Sequence, residues 1–270
     1  MKKKKTVRGG PAIAGVPLKK EYGQHFLRDK NIVASMLAHV SIDKTTSVFE
    51  IGCGDGFLTK ELVAARPARL WVFEIDPAWA KLVKERYADE HTTFFVEDIL
   101  TVDWQRFAEF KPWVLLANLP YQITFPLLHL LAQHANLLRE GVIMIQEEVA
   151  QRLVATGGRL FGVQTLFFQH VFTFTLLDRV PPSAFYPPPK VYSRLLYFKP
   201  RIERDYIEDE EQFWLFIRRC FSQPRRTLKN NLAPYGYNLT VASDEILGLR
   251  AQQMTKEQLL SLWKTLSKKE

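Results

Sequence analysis

The chain reads as an α/β protein, a mostly parallel sheet wrapped by helices and followed by a small all-helical domain. Three observations predict this. Short apolar runs rich in β-branched and aromatic residues alternate with longer helical patterns up to about Lys199. A glycine-rich loop joins the first of these runs to the helix after it. Beyond Lys199 the strand signal stops, and only helical pieces remain, punctuated by Pro224 and by Pro234 to Gly236.

Taken in order, residues 47–51, 70–75, 93–96, 113–117 and 142–145 are the strands, and 57–65, 78–87, 125–138 and 146–156 are the helices that follow them. A strand covered on both faces loses its in–out alternation and becomes a nearly continuous apolar run. These runs have that character, so helices are expected on both sides of the sheet. Two further apolar segments, 171–177 and 193–198, add strands at one edge. Between them lies the proline-rich stretch 181–189, which lacks the N–H groups that a helix interior or a central strand needs. After the acidic stretch 203–212, residues 213–221 form the first helix of the terminal domain. The expected division is a basic flexible tail over 1–21, an α/β domain over 22–199 and a helical domain over 200–270.

With 270 residues, 47% apolar and 24% charged, the chain has the composition of a globular protein with room for one large core and one small one. No apolar run approaches the roughly 20 residues that cross a bilayer, so no membrane partner is expected. The formal charge of +8 points to a polyanionic partner. The lysine-rich ends supply part of that excess, and the basic residues of the C-terminal third supply the part that matters for binding. Cys53 and Cys220 form no CxxC pair and the histidines show no ligand spacing, so no metal is expected. The N-terminus has no apolar core of a secretory signal, and a reducing, cytoplasmic setting fits.

The first strand ends in Glu50-Ile51-Gly52-Cys53-Gly54-Asp55-Gly56, and a helix starts directly after it. Glycines such as Gly52 and Gly54 let the backbone turn tightly and approach a ligand with no Cβ in the way. In α/β sheets this is where nucleotide-like cofactors bind. The spacing is not that of a dinucleotide site, because the third glycine would fall at Phe57. The second strand ends at Glu74, whose two carboxylate oxygens match the spacing of two ribose hydroxyls. Asp98, after the third strand, can accept a hydrogen bond from an adenine amine. Three such elements after three successive strands point to a bound adenosyl cofactor.

Asn118-Leu119-Pro120-Tyr121 follows the fourth strand. An adenine amine is a poor nucleophile, because its lone pair is delocalised into the ring. The Asn118 side-chain oxygen and the Leu119 carbonyl can accept its two N–H groups and favour the tetrahedral geometry that attack requires. Pro120 holds the turn. Tyr121 offers a flat face for the base and for a cationic methyl donor. No general acid or base is assigned, since the product ammonium loses its proton readily to water or a carbonyl.

These motifs resemble those of the ribosomal RNA adenine dimethyltransferases, in particular the branch that acts on two adjacent adenosines near the 3′ end of small-subunit rRNA. The likeness runs from about Tyr22 to near the C-terminus. It includes Gly23-Gln24-His25-Phe26-Leu27, the glycine loop, Asn118 to Tyr121, the segment Val180 to Val191, and Arg225-Arg226-Thr227-Leu228-Lys229-Asn230-Asn231-Leu232. The resemblance implies a Rossmann-like class I methyltransferase fold with a seven-stranded sheet. By the same resemblance His25 and Leu27 join Gly52, Gly54, Glu74, Asp98 and Asn118 around S-adenosylmethionine. Phe185 joins Asn118, Leu119 and Tyr121 around the target base. The chain departs from the family pattern at His25, often Asn, at Tyr192, usually Asp, and at residues 162–165.

The basic cluster Arg218, Arg219, Arg225, Arg226 and Lys229 is expected on the helical domain, contacting RNA phosphates. The target base must leave its stack, which fits a hairpin loop. The implied protein is a monomer acting on immature small ribosomal subunits. The alternatives are a large-subunit rRNA methyltransferase conferring antibiotic resistance, a DNA adenine methyltransferase, and a non-catalytic assembly or transcription factor on the same fold. The C-terminal Arg225 to Leu232 segment argues against the first. Leu119, where DNA enzymes usually carry proline, argues against the second. The intact Gly52, Glu74, Asp98 and Asn118 argue against the third.

Overall fold

The computed structural model describes residues 12–19 and 22–267. Its central sheet has seven strands: β1 (Ser47–Ile51), β2 (Arg69–Phe73), β3 (Thr92–Phe95), β4 (Trp113–Asn118), β5 (Leu138–Gln146), β6 (Phe172–Val180) and β7 (Ser193–Pro200). Their spatial order is β3-β2-β1-β4-β5-β7-β6. The first five are parallel, and β7 runs antiparallel to β5 with Ser193 opposite Gln146. The order reverses between β1 and β4, so a crevice opens at the carboxyl ends of those two strands. Both late apolar segments join at one edge, as their composition predicted.

Alternation along the strands explains the two-sided burial. Val48, Val72, Val114 and Leu116 pack with Val33 and Met36 of α1 (Lys30–Ala38), Leu62 of α2 (Thr59–Ala64) and Val83 of α3 (Pro77–Tyr87). On the opposite face, Phe49 of β1 meets Trp71, Trp104, Phe107 and Trp113 with ring centroids 4.8 to 5.2 Å apart. Trp104 and Phe107 belong to a 3₁₀ segment, and the Phe107 carbonyl accepts the Trp113 indole N–H at 3.0 Å. Helices α4 (Thr124–Gln133) and α5 (Glu147–Val154) follow β4 and β5. Helix α1 was not predicted from sequence; it begins at Asp29, whose side chain accepts the Asn31 N–H.

The expected flexible tail over 1–21 needs correction. Residues 1–11 and 20–21 lie outside the described residues, as does 268–270 at the other end. Residues 12–19, however, are ordered: Ala12–Ile13 pairs with Val16–Pro17 across a turn in which Ala14 and Gly15 both take positive φ. Lys19 then pairs with Asp76 at 3.0 Å.

The chain divides into two compact units, Met1–Ala150 with Phe174–Pro200, and Gln151–Thr173 with Arg201–Glu270. The sequence placed all of 22–199 in the α/β domain. The helical unit instead takes in 151–173, because α6 (Val163–Val171) carries Leu166 into a core with Phe213, Phe216 and Ile217 of α7 (Glu210–Cys220). The remaining helices, α8 (Leu228–Leu232), α9 (Asp244–Gly248) and α10 (Lys256–Leu266), contribute Leu228, Leu232, Leu247, Leu259 and Leu262 to the buried interior.

Candidate active site

The crevice is floored by the loop after β1. The Gly52 N–H donates to the Phe73 carbonyl at 2.8 Å, which anchors the loop to the neighbouring strand. Gly52 and Gly54 take φ of +74° and +52°, a region that disfavours side chains. A Cβ on Gly54 would also lie 2.9 Å from the Phe26 ring.

Glu74 is buried, and both its oxygens are engaged: Oε2 accepts the Gly54 N–H at 3.0 Å and Oε1 the Asp76 N–H at 2.9 Å. Burial raises its pKa, while those two N–H donors oppose the shift. The Cys53 thiol is a second, weaker donor to Oε2 at 3.9 Å. Asp76, two residues on, is committed elsewhere, because it caps α3 through the Ala78 N–H and pairs with Lys19. Similarly Glu97 pairs with Arg106 at 2.9 Å. Asp98 Oδ1 accepts the Leu100 N–H at 3.0 Å, and Asp98 lines the crevice. Ile75 is 44% exposed although apolar, and with Ile99 it lines the crevice beside these acids. Glu50, just before the loop, is wholly buried, and burial pushes its pKa up to about 8, so the carboxyl is neutral at pH 7.

At the other end of the crevice, the Asn118 side-chain N–H donates to the His25 carbonyl at 3.1 Å. The amide nitrogen is thereby tied back, and the side-chain oxygen is the end of the amide that this bond does not use. Leu119 donates its N–H to the Met144 carbonyl, which fixes the turn after β4. The Tyr121 hydroxyl bonds to Ser193 Oγ at 2.8 Å, and its ring stacks loosely on His25 at 6.1 Å. Burial raises the Tyr121 pKa, so the phenol stays neutral.

A strap of backbone holds the two ends together. Phe26–Leu27 pairs antiparallel with Phe185–Tyr186, with Leu27 opposite Phe185. The Arg28 N–H donates to the Ala184 carbonyl at 2.8 Å, and the His25 Nδ1–H donates to the Pro187 carbonyl at 2.7 Å. Arg28 also pairs with Asp55 of the glycine loop at 2.8 Å. As a result, His25, Leu27, Gly52, Gly54, Glu74, Asp98, Asn118, Leu119, Tyr121 and Phe185 all line one cavity. Sequence reading missed Ile75, Ile99 and Ser193. The first two carry a readable signal, an apolar residue set beside an acid at a strand end. Ser193 carries none, because its partner lies 72 residues away.

The five basic residues belong to the helical unit. Arg218, Arg225 and Arg226 are exposed. Arg219 differs from expectation: its guanidinium lies 4.5 Å over Tyr235 and 5.6 Å from the Tyr237 ring, and it donates to the Tyr237 hydroxyl at 2.9 Å. Lys229 pairs with Asp244 at 3.4 Å. Asn231 is buried and closes the turn before Arg225, donating to the Cys220 and Gln223 carbonyls at 2.8 and 3.1 Å. Among the described residues, no cluster of three or more His, Cys, Asp or Glu could hold a metal ion, and no helix is long and apolar enough to cross a membrane.

A family model described as ribosomal RNA adenine dimethylase matches residues 16–268. The chain is 35% identical over 251 residues to the ribosomal RNA small subunit methyltransferase A of Syntrophotalea carbinolica, covering 89% of this chain and 93% of that one. Two solved structures share the fold. A dimethyladenosine transferase from Plasmodium falciparum aligns with a TM-score of 0.75 at 24% identity over 89% of this chain and 98% of that one. The 23S rRNA methyltransferase ErmE aligns with a TM-score of 0.74 at 23% identity over 90% and 100%.

Proposed function

The chain belongs to the ribosomal RNA adenine dimethylase family, and from that premise we propose that it dimethylates N6 of two adjacent adenosines in a hairpin loop near the 3′ end of small-subunit rRNA, with S-adenosylmethionine as methyl donor. The observation that carries this reading is the tether between Asn118 and His25, which leaves the amide oxygen as an acceptor in the same cavity as Glu74 and Asp98. The residues fit the cofactor: Glu74 takes the ribose hydroxyls, Asp98 the adenine amine, Ile75 and Ile99 the adenine faces, and the glycine loop admits close approach. When bound, S-adenosylmethionine supplies an electrophilic methyl group on a sulfonium sulfur.

The chain's own residues do the rest. Asn118 Oδ1 and the Leu119 carbonyl accept the two N–H groups of the target amine, pull it out of conjugation and free its lone pair. Tyr121 and Phe185 hold the base in place against solvent. The proton released after each transfer passes to water, so no titrating base is required. Exposed Arg218, Arg225 and Arg226 contact phosphates of the immature small subunit, giving affinity and register. The reading includes a monomer working in the cytoplasm.

The test is methyl transfer read by mass spectrometry of digested RNA, with small subunits lacking adenine dimethylation offered beside naked large-subunit rRNA. Dimethyladenosine at two adjacent small-subunit loop adenines is the expected product. Transfer to large-subunit RNA alone would keep the chemistry and overturn the substrate. Cofactor binding with no transfer to either would overturn the rRNA assignment.

A further inference from the structure

Tyr192 lies outside the cavity, directly before Ser193, the residue whose Oγ holds the Tyr121 hydroxyl. Tyr192 immediately precedes the strand that begins at Ser193, and its ring meets Arg179. It is 43% exposed. The Arg179 guanidinium lies 3.8 Å from its ring centroid, at van der Waals stacking distance. Two features hold this pair in place. The Glu147 N–H donates to the Tyr192 carbonyl at 3.0 Å, and the Glu147 carboxylate is gripped by Arg194 at 2.8 and 2.9 Å and approached by Arg179 at 3.8 Å. Arg179 and Arg194 both meet the Glu147 carboxylate, and Asp178 is a second carboxylate that acts on Arg194. Asp178, the neighbouring acid, is engaged by the Ser35 hydroxyl.

The position follows from the register. Asn118 on β4 is opposite Met144 on β5, and Gln146, two residues further along β5, is opposite Ser193. With strands about 4.8 Å apart, Tyr192 stands on the order of 10 Å from the target-base turn, along the carboxyl edge of the sheet. That is the distance of a neighbouring nucleotide rather than a remote one. A rigid aromatic ring with a cation on one side is the combination that stacks unpaired bases without reading their identity.

We propose that Tyr192, backed by Arg179, is a stacking platform for an unpaired nucleotide that flanks the target adenine. The inference rests on the RNA-methylating reading above, and it adds a residue that positions substrate outside the cavity. Loss of one stacked base weakens single-stranded RNA binding by about tenfold or more.

The experiment uses the full chain with S-adenosylhomocysteine bound and a fluorescein-labelled, unpaired adenine-rich RNA as probe. Tyr192→Ala is expected to weaken probe binding about tenfold, and Tyr192→Phe, which keeps the ring, to bind as the wild type does. Both variants are expected to bind S-adenosylhomocysteine normally and to unfold at the wild-type temperature. Wild-type probe affinity in Tyr192→Ala, or equal loss in Tyr192→Phe, would overturn the platform. Wild-type transfer to small subunits is measured in parallel. Its absence sinks the proposed function, whereas transfer with unchanged probe affinity in Tyr192→Ala sinks only this inference.

Discussion

The Asn118 amide nitrogen donates to the carbonyl of His25 across 93 residues of chain. That bond fixes the orientation of the amide, with the oxygen as the end proposed to meet the substrate. Replacing Asn118 with Asp puts a carboxylate oxygen against the His25 carbonyl and removes the tether. Single-turnover transfer is expected to fall by roughly 10²-fold or more, the scale seen when one preorganised polar group is lost from a transition-state site. Normal turnover in Asn118→Asp would show that the tether has no part in the chemistry.

Glu74 links the glycine loop to the turn after β2 through two backbone N–H groups. Glu74→Ala removes both links and the acceptor for the ribose. Hydrogen bonds to charged groups contribute about 1.5–3 kcal/mol each, so cofactor affinity is expected to drop at least tenfold. Calorimetric titration with S-adenosylhomocysteine measures this, and an unaltered affinity refutes the ribose assignment.

Gly54→Ala combines a positive φ with a Cβ 2.9 Å from the Phe26 ring. The expected cost is about 1–3 kcal/mol of stability. Phe26→Leu in the same chain removes the ring and should recover part of it. Equilibrium unfolding of the two variants decides the point, and no destabilisation in Gly54→Ala would mean that the loop relaxes freely.

Burial raises Glu50 to about 8, above its value in an unfolded chain. Between about pH 4.5 and 8 the unfolded chain has this carboxyl ionised while the folded chain keeps it protonated, so the folded state holds the extra proton and stability falls as pH rises. Above about 8 the contribution levels off. Glu74, also raised by burial, acts in the same sense. The cofactor-free chain should therefore lose stability from pH 6 to pH 8, and Glu50→Gln should flatten that slope. Parallel slopes in urea unfolding would contradict the assignment.

Arg225 and Arg226 are exposed, whereas Arg219 is spent on Tyr235 and Tyr237. The double change of Arg225 and Arg226 to Ala is expected to reduce the salt dependence of RNA binding by roughly 1.5 to 2 in log–log slope. Arg219→Ala should instead destabilise the helical unit by about 1 kcal/mol and shift the slope less. A full slope change from Arg219→Ala would restore it to the phosphate-binding set.

Much of the cavity was legible in the sequence because its chemistry is local. A glycine loop, an acid at a strand end and Asn118-Leu119-Pro120-Tyr121 each declare themselves within a few residues, and apolar runs set the strand order along the chain. What the tertiary structure alone decided depends on partners distant in sequence. The orientation of the Asn118 amide comes from His25, the fixing of Tyr121 from Ser193, and the commitment of Asp76 from Lys19 and the α3 cap. The diversion of Arg219 to Tyr237 and the capture of 151–173 by the helical unit have the same origin. Side-chain type fixes what a residue is able to do, but hydrogen-bond direction and burial depend on which neighbour folding brings within about 3 Å.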